Sequence, residues 1–314
     1  NSSARVILTN QSEHKGVVCA DAVRFGGGMG NISRDPVSGQ SGMPRFLEGA
    51  RYAAQWSGFP YKVYGMYAGE NDYKDDINVR SFTNNYLNGG SIFNPDSLGL
   101  HVPIEAQFSF HSDAGFRSDD SFIGPLTICS TESGDTTKVY PGGIDRMVSY
   151  SLASQILHNA KRDLDRTFGI DWPAREVRNR DYSESRRGNV PSMIFEMLSH
   201  QNWADIRYGH DPNFKFILSR SIYKTISRYV NGLHDRPSVV APLPVQAFAI
   251  QRTEKDNQIL LSWQPTTDTY ESEAKPSGYV LYTRLNEGGF DNGRWIPTNT
   301  YSMEVVPGTM YSFK

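Results

Sequence analysis

The chain has almost no net charge. Its 32 Lys and Arg stand against 34 Asp and Glu, and neither sign collects in a block or tail. Nucleic acid and anionic membrane surfaces, which need clustered cations, are therefore not the expected partners. No apolar run reaches the roughly 20 residues of a membrane span, so no span is expected. Cysteine is scarce: Cys19 and Cys129 lie in apolar, strand-like surroundings without metal-ligand spacing. Two buried thiols are the expectation, and neither fixes a redox compartment. Neither has the helix-start setting that activates a nucleophile. A G-x-S-x-G elbow is missing, which removes the acyl-serine route. Gly26-Gly27-Gly28 is followed by no helix opening on Lys or Ser/Thr, which removes a phosphate loop. The opening Asn1-Ser2-Ser3 has neither an initiator Met nor an apolar leader core. The expectation is a removed leader, or a chain that starts partway through a longer protein.

What is present is a succession of patterned segments, and 314 residues leave room for two or three domains. Residues 5–9 and 17–25 read as two strands, a β fragment over 1–28. Residues 45–56 carry Phe46, Leu47, Ala50, Ala53 and Ala54 at helical spacing behind Pro44, and 75–87 is a weaker helix. A strand over 106–110, strand character near 125–129, a helix over 144–168, a strand over 192–195 and a helix over 212–230 follow. The face expected to be buried on 144–168 holds Met147, Val148, Ser151, Leu152, Ile156 and Leu164. The alternation predicts an α/β domain over 29–232, a mixed sheet flanked by helices. Three prolines give 233–244 a stiff linker composition. Beyond it, strands expected at 245–250, 258–263, 278–284 and 302–306 suggest a C-terminal β-sandwich over 245–314.

Two segments carry chemistry. Glu105-Ala106-Gln107-Phe108-Ser109-Phe110-His111 alternates as a strand and delivers an imidazole at its expected end, with small and acidic residues behind it. Val190-Pro191-Ser192-Met193-Ile194-Phe195-Glu196 delivers a carboxylate 85 residues later (196 − 111). A His and a Glu at the carboxyl ends of buried strands form the rim of many α/β sites. His111 is thus a candidate metal ligand, against the plainer role of a hydrogen-bonding strand-end histidine. Glu196 is a candidate general acid/base, against an ion pair with Arg180, Arg186 or Arg187. For His14, His101, His158, His200, His210 and His234 surface or capping roles are expected, although His200 and His210, which flank Trp203, could line a cleft. Glu48 is expected mid-helix, facing solvent in preference to the cleft.

These residues resemble the zinc-dependent N-acetylmuramoyl-L-alanine amidases of the amidase-3 type. Residues 108–114 look like that family's S-I-H-x-N-A element, with His111 at the zinc-binding histidine. Pro191, Glu196, Asn202 and Asp205 match the offsets of its V-P-x-x-L-x-E…N…D element, which makes Glu196 the implied catalytic carboxylate. Arg80 and Asn85 match an R-x-x-x-A-N helix, with Asn84 where Ala is usual. The resemblance covers roughly residues 75–232. The family's first zinc histidine, in a G-H-G turn, is absent from this chain. So is the glutamate on its first helix, unless Glu48 substitutes, and residues 88–104 read as an insertion. Residues 17–25 look like the last strand of a golvesin-type β-domain, of the kind inserted in amidase-like domains of Bacteroidetes-type secreted proteins. Residues 260–263 and 278–282 resemble a partial fibronectin type III module.

The resemblance implies a zinc amidohydrolase cleaving the amide between N-acetylmuramic acid and L-Ala. It would use Zn²⁺ held partly by His111, with the other protein ligands expected upstream of residue 1. The implied partners are peptidoglycan or another cell-surface glycan and the upstream segment of the same polypeptide; the implied location is extracytoplasmic. Two alternatives stay open. One is a non-catalytic surface or glycan-binding protein on an amidase-like scaffold. The other is a xanthan-type polysaccharide lyase, for which Tyr182, Arg186 and His200 are raw material without recognisable spacing.

Overall fold

The computed structural model describes residues 6–11, 30–34, 36–37, 39–95 and 99–314. The expected strand at 17–25, with His14, Cys19 and the glycines at 26–28, lies outside the described residues. The strand expected over 5–9 is not formed at its described positions: residues 6–11 take no regular secondary structure. The chain divides into two compact units, Asn1–Ile222 and Tyr223–Lys314.

In the first unit the elements are α1 (Ala50–Trp56), α2 (Tyr61–Tyr64), α3 (Asp72–Leu87), β1 (Gln107–Asp113), β2 (Leu126–Cys129), α4 (Met147–Phe168), β3 (Val177–Asn179), α5 (Ser183–Arg186), β4 (Ser192–Ser199) and α6 (Trp203–His210). The helix α7 (Pro212–Leu233) contains the boundary between the units. Among the described residues the strands form one mixed sheet of order β1-β4-β2-β3. β1 runs parallel to β4, β4 antiparallel to β2, and β2 parallel to β3. The fold class is thus α/β, as expected.

Helix α4 supplies much of the cover. Ser149, Leu152, Ala153, Ile156, Leu157, Ala160 and Leu164 are its buried stripe, while Met147 and Ser151 turn outward, contrary to the expected face. Small residues let the stripe pack closely, a contribution that a count of large apolar positions overlooks.

The helix expected over 45–56 is interrupted. Arg45–Leu47 is a single 3-10 turn, and α1 starts only at Ala50, after Gly49. A Cβ on Gly49 would run into the carboxylate of Asp76 and the guanidinium of Arg34. That close approach lets Asp76 accept from the Arg51 N–H at 3.0 Å, so a side chain from α3 satisfies one of the free N–H groups at the start of α1. Glu48 is therefore not mid-helix. Nor does it face solvent: it bonds Arg45 at 2.5 Å and Ser41.

The second unit holds β5 (Gln246–Arg252), β6 (Gln258–Gln264), β7 (Tyr279–Leu281), β8 (Thr283–Leu285), β9 (Arg294–Ile296), β10 (Thr300–Glu304) and β11 (Tyr311–Phe313). They form a sheet β10-β6-β5 and the pairs β11-β8 and β7-β9, around a core of Leu261, Trp263, Leu281 and Ile296. The strand expected over 278–284 is split at Tyr282. Its N–H and C=O pair with Lys314, while β7 pairs with β9 and β8 with β11, so one apolar run serves two ladders. The proline-containing segment is held by Tyr223, whose hydroxyl accepts from the Ala241 N–H at 3.0 Å. Among the described residues no helix is long and apolar enough to cross a membrane.

Candidate functional site

Neither key strand ends where the sequence suggested. β1 continues through His111 to Asp113, and β4 through Glu196 to Ser199. His111 and Glu196 are direct register partners, and the next pair is Asp113 with Ser199. One residue of β1 thus opposes two of β4, a bulge immediately beyond the His–Glu pair. Such a bulge bends the ladder and re-aims the side chains beside it.

Alternation explains which face they share. Phe108 and Phe110 point to one side, stacked on each other and tilted against Phe195, with each pair of ring centroids 6.1 Å apart. Gln107, Ser109, His111 and Asp113 therefore occupy the other side. The polar row is covered by α3 and α5. Gln107 joins them, accepting from Asn84 Nδ2 at 2.9 Å and donating to Ser81 Oγ at 3.3 Å and to the Glu184 carbonyl at 3.4 Å. The same two helices bring Arg80 and Glu184 to His111.

His111 Nε2 lies 3.1 Å from Glu184 Oε2 and 3.4 Å from Arg80 Nη1, and Arg80 Nη1 is 3.1 Å from Glu184 Oε1. Protonated Nε2 donates to Glu184; deprotonated, it can only accept, from Arg80. The bond from Glu184 raises the imidazole pKa above its ordinary 6.5, against burial and the charge of Arg80. Burial pushes Glu184 upward, but His111 and Arg80 together hold it below its ordinary 4.5. The stability that His111 gains is fully present below 6.5 and is lost as pH rises through its raised folded value. That from Glu184 is present above 4.5 and is lost as pH falls through its depressed value. Glu184→Gln is expected to lower the His111 pKa in an NMR titration of the ring protons; an unchanged pKa would refute the pairing.

Glu196 has a different environment. Its neighbour on the other side is Leu126, in register across β2, above the buried cluster of Leu126, Ile128 and Ile194. Burial raises its pKa above 4.5; His111 and Arg175 oppose this, and Asp113 and Glu184 add to it. Oε2 is buried without a hydrogen-bond partner among the described residues. The alternative role, an ion pair with Arg180, Arg186 or Arg187, is not formed. Arg186 pairs with Asp181 at 2.8 Å, Arg187 lies over Phe82, and the arginine near Glu196 is Arg175, which binds Asp113 at 2.7 Å.

The other motif positions are scaffold. Asn85 clasps the segment before β4, donating to the Arg187 carbonyl at 2.7 Å and accepting from the Asn189 N–H at 2.9 Å. Asn202 caps α6 through the Asp205 N–H, and Asp205 receives three further backbone N–H groups. His200 is exposed, its Nδ1 at 3.1 Å from Ser112 Oγ; His158 and His210 are exposed on their helices. Tyr182 is an exposed residue at the start of α5.

Sequence reasoning missed Glu184. It lies 12 residues before Glu196 (196 − 184), on a four-residue helix too short to give a periodic signal. Arg80 was visible only as a motif match. Among the described residues no three His, Cys, Asp or Glu side chains gather as a metal-binding set.

No protein-family model matches the chain, and no curated protein matches it. Similar solved structures are N-acetylmuramoyl-L-alanine amidases. One, from Clostridium difficile 630, is 13% identical over 40% of this chain and 58% of its own, with a TM-score of 0.32. The CwlD amidase from Clostridioides difficile, solved in complex with the GerS lipoprotein, is 20% identical over 51% and 64%, with a TM-score of 0.35. AmiC2 of Nostoc punctiforme is 14% identical over 40% and 58%, at 0.32. The chain spans about three fifths of the length of these structures.

Proposed function

We propose that the chain carries the centre of an amidase-like hydrolase acting on peptidoglycan at the amide between N-acetylmuramic acid and L-Ala. The observation that carries this reading is the register pair His111–Glu196 on adjacent parallel strands, with a buried, unpartnered oxygen on the carboxylate. The motif resemblance around both residues supplies the substrate class. Glu196 takes a proton from the attacking water as its oxygen bonds the amide carbonyl carbon. It then returns that proton to the departing nitrogen as the C–N bond breaks, leaving a carboxyl group and a free amine. In this reading Arg80 and the protonated form of His111 stabilise the negative charge that develops on the carbonyl oxygen.

Zinc is the cofactor that the resemblance implies. At His111 the described residues offer one further donor, Glu184, and a guanidinium 3.4 Å from the ligating nitrogen. A catalytic zinc site takes three protein ligands, and Arg80 supplies a like charge instead of a lone pair. The described donor set does not by itself fit a resident zinc.

Residues 1–28 as the end of a golvesin-like domain and 245–314 as a partial fibronectin type III-like module would hold such an enzyme on glycan, outside the cytoplasm. The same Arg80 contact favours a second reading, a non-catalytic glycan binder on this scaffold. Incubating the purified chain with muropeptide, with mass spectrometry of the products, separates the two. Release of a stem peptide with a free L-Ala amine is expected. Binding of intact glycan without release would leave the second reading standing.

A further inference from the structure

A cavity of about 510 Å³ opens in the first unit, lined by Phe82, Asp135, Tyr140, Arg146, Arg186 and Arg187 among others. Its size falls within the roughly 300–1,000 Å³ of small-molecule sites. Its charge is unbalanced. Asp135 is bound into its own turn by Ser133 and Thr137, which pull its carboxyl down to about 2. Arg186 is paired with Asp181. Among the described residues two guanidiniums, those of Arg146 and Arg187, form no salt bridge.

The more telling is Arg146, only 2% exposed, which precedes α4. Its guanidinium donates to the carbonyls of Arg186, Ser185 and Gly188 at 2.9, 3.4 and 3.4 Å, and lies 4.4 Å from the centre of the Tyr140 ring. Among the described residues no carboxylate forms a salt bridge with it, although the charge of Asp135 on the cavity wall favours its cationic form through space. A cation this deep is normally paired, because burial disfavours its charge; here burial lowers the guanidinium pKa below its ordinary value. The other is Arg187, whose guanidinium lies over the Phe82 ring at 5.5 Å. Planar guanidinium forks suit carboxylate and phosphate oxygens, to which they donate in pairs.

We propose that this cavity is a second ligand site, taking a small oxyanion of about monosaccharide size, a sugar acid or a sugar phosphate, held between Arg146 and Arg187. It is independent of the amidase reading, since no residue of the His111–Glu196 pair lines it.

Calorimetric titration of the full chain with D-glucuronate, D-glucose 6-phosphate and neutral D-glucose tests it. At least one anion is expected to bind about tenfold more tightly than glucose, the margin of a charge-assisted hydrogen bond, and to weaken with added salt. Which anion wins distinguishes carboxylate from phosphate. Arg187→Gln should lose about tenfold in affinity while keeping its melting temperature, since among the described residues its guanidinium makes a ring contact and no salt bridge. Arg146→Lys should lose the paired donation. Overturning results are no binding of either anion, glucose binding as tightly as both, or full anion affinity in both variants.

Discussion

Glu196→Gln is expected to reduce muropeptide hydrolysis by about 10² to 10⁴-fold, the usual contribution of a positioned proton-transfer group. The fold should survive, because among the described residues the carboxylate makes no ion pair and its Oε2 has no hydrogen-bond partner. Its pKa is raised by burial, so the folded protein favours the neutral side chain. That preference stabilises below the ordinary value of 4.5 and is lost as pH rises through the raised folded value. Glutamine is neutral at every pH. The variant should therefore melt no lower than the parent above pH 4.5, and its stability should vary less as pH rises from 4.5. The same shift governs the rate: the base is the ionised form, so parent activity should fall on acidification at a pH above 4.5. Single-turnover assays across pH, paired with melting curves, read both effects. A variant that keeps most of the parent rate would remove Glu196 from the chemistry.

Much of this centre was legible, and the reason is alternation. Phe108 and Phe110 define an apolar face, so the polar row that includes His111 had to lie opposite, and the apolar run before Glu196 had to be a buried strand. Parallel pairing of those strands, one residue directly beside the other, is a property of the sheet that neither segment encodes alone. The extension of both strands past the pair depends on the bulge, which is visible only in the ladder. Glu184 reaches His111 through a helix of four residues, so no periodicity announced it. The break at Gly49 was hidden for a related reason: the apolar spacing over 45–56 is helical, but the approach of Asp76 comes from another helix. Local pattern gave the elements, and the contacts that aim the site are non-local.

The second large effect concerns one such contact. Asp205 is fully buried and accepts from the Ser199 N–H at 2.8 Å, the Ile123 N–H at 3.1 Å and the Gly124 N–H at 3.1 Å, while its own N–H is capped by Asn202. Ser199 is the last residue of β4, and its hydroxyl bonds the Gly115 carbonyl, so this carboxylate ties the strand exits beyond His111 and Glu196 to the segment entering β2. Gly124 has φ +72°, and a Cβ there would collide with the Pro173 carbonyl, so the chain has little freedom to find another arrangement. Asp205→Ala orphans three buried donors, each costing about 1–3 kcal/mol. A loss of about 3–5 kcal/mol is expected, read as a lower urea midpoint at an unchanged slope. Asp205→Asn keeps one acceptor oxygen and should lose less. Because the bulge lies between the His111–Glu196 pair and Ser199, the same variant should cost hydrolysis even under conditions where it remains folded. A midpoint within error of the parent would mean that the loops hold the strand exits without Asp205.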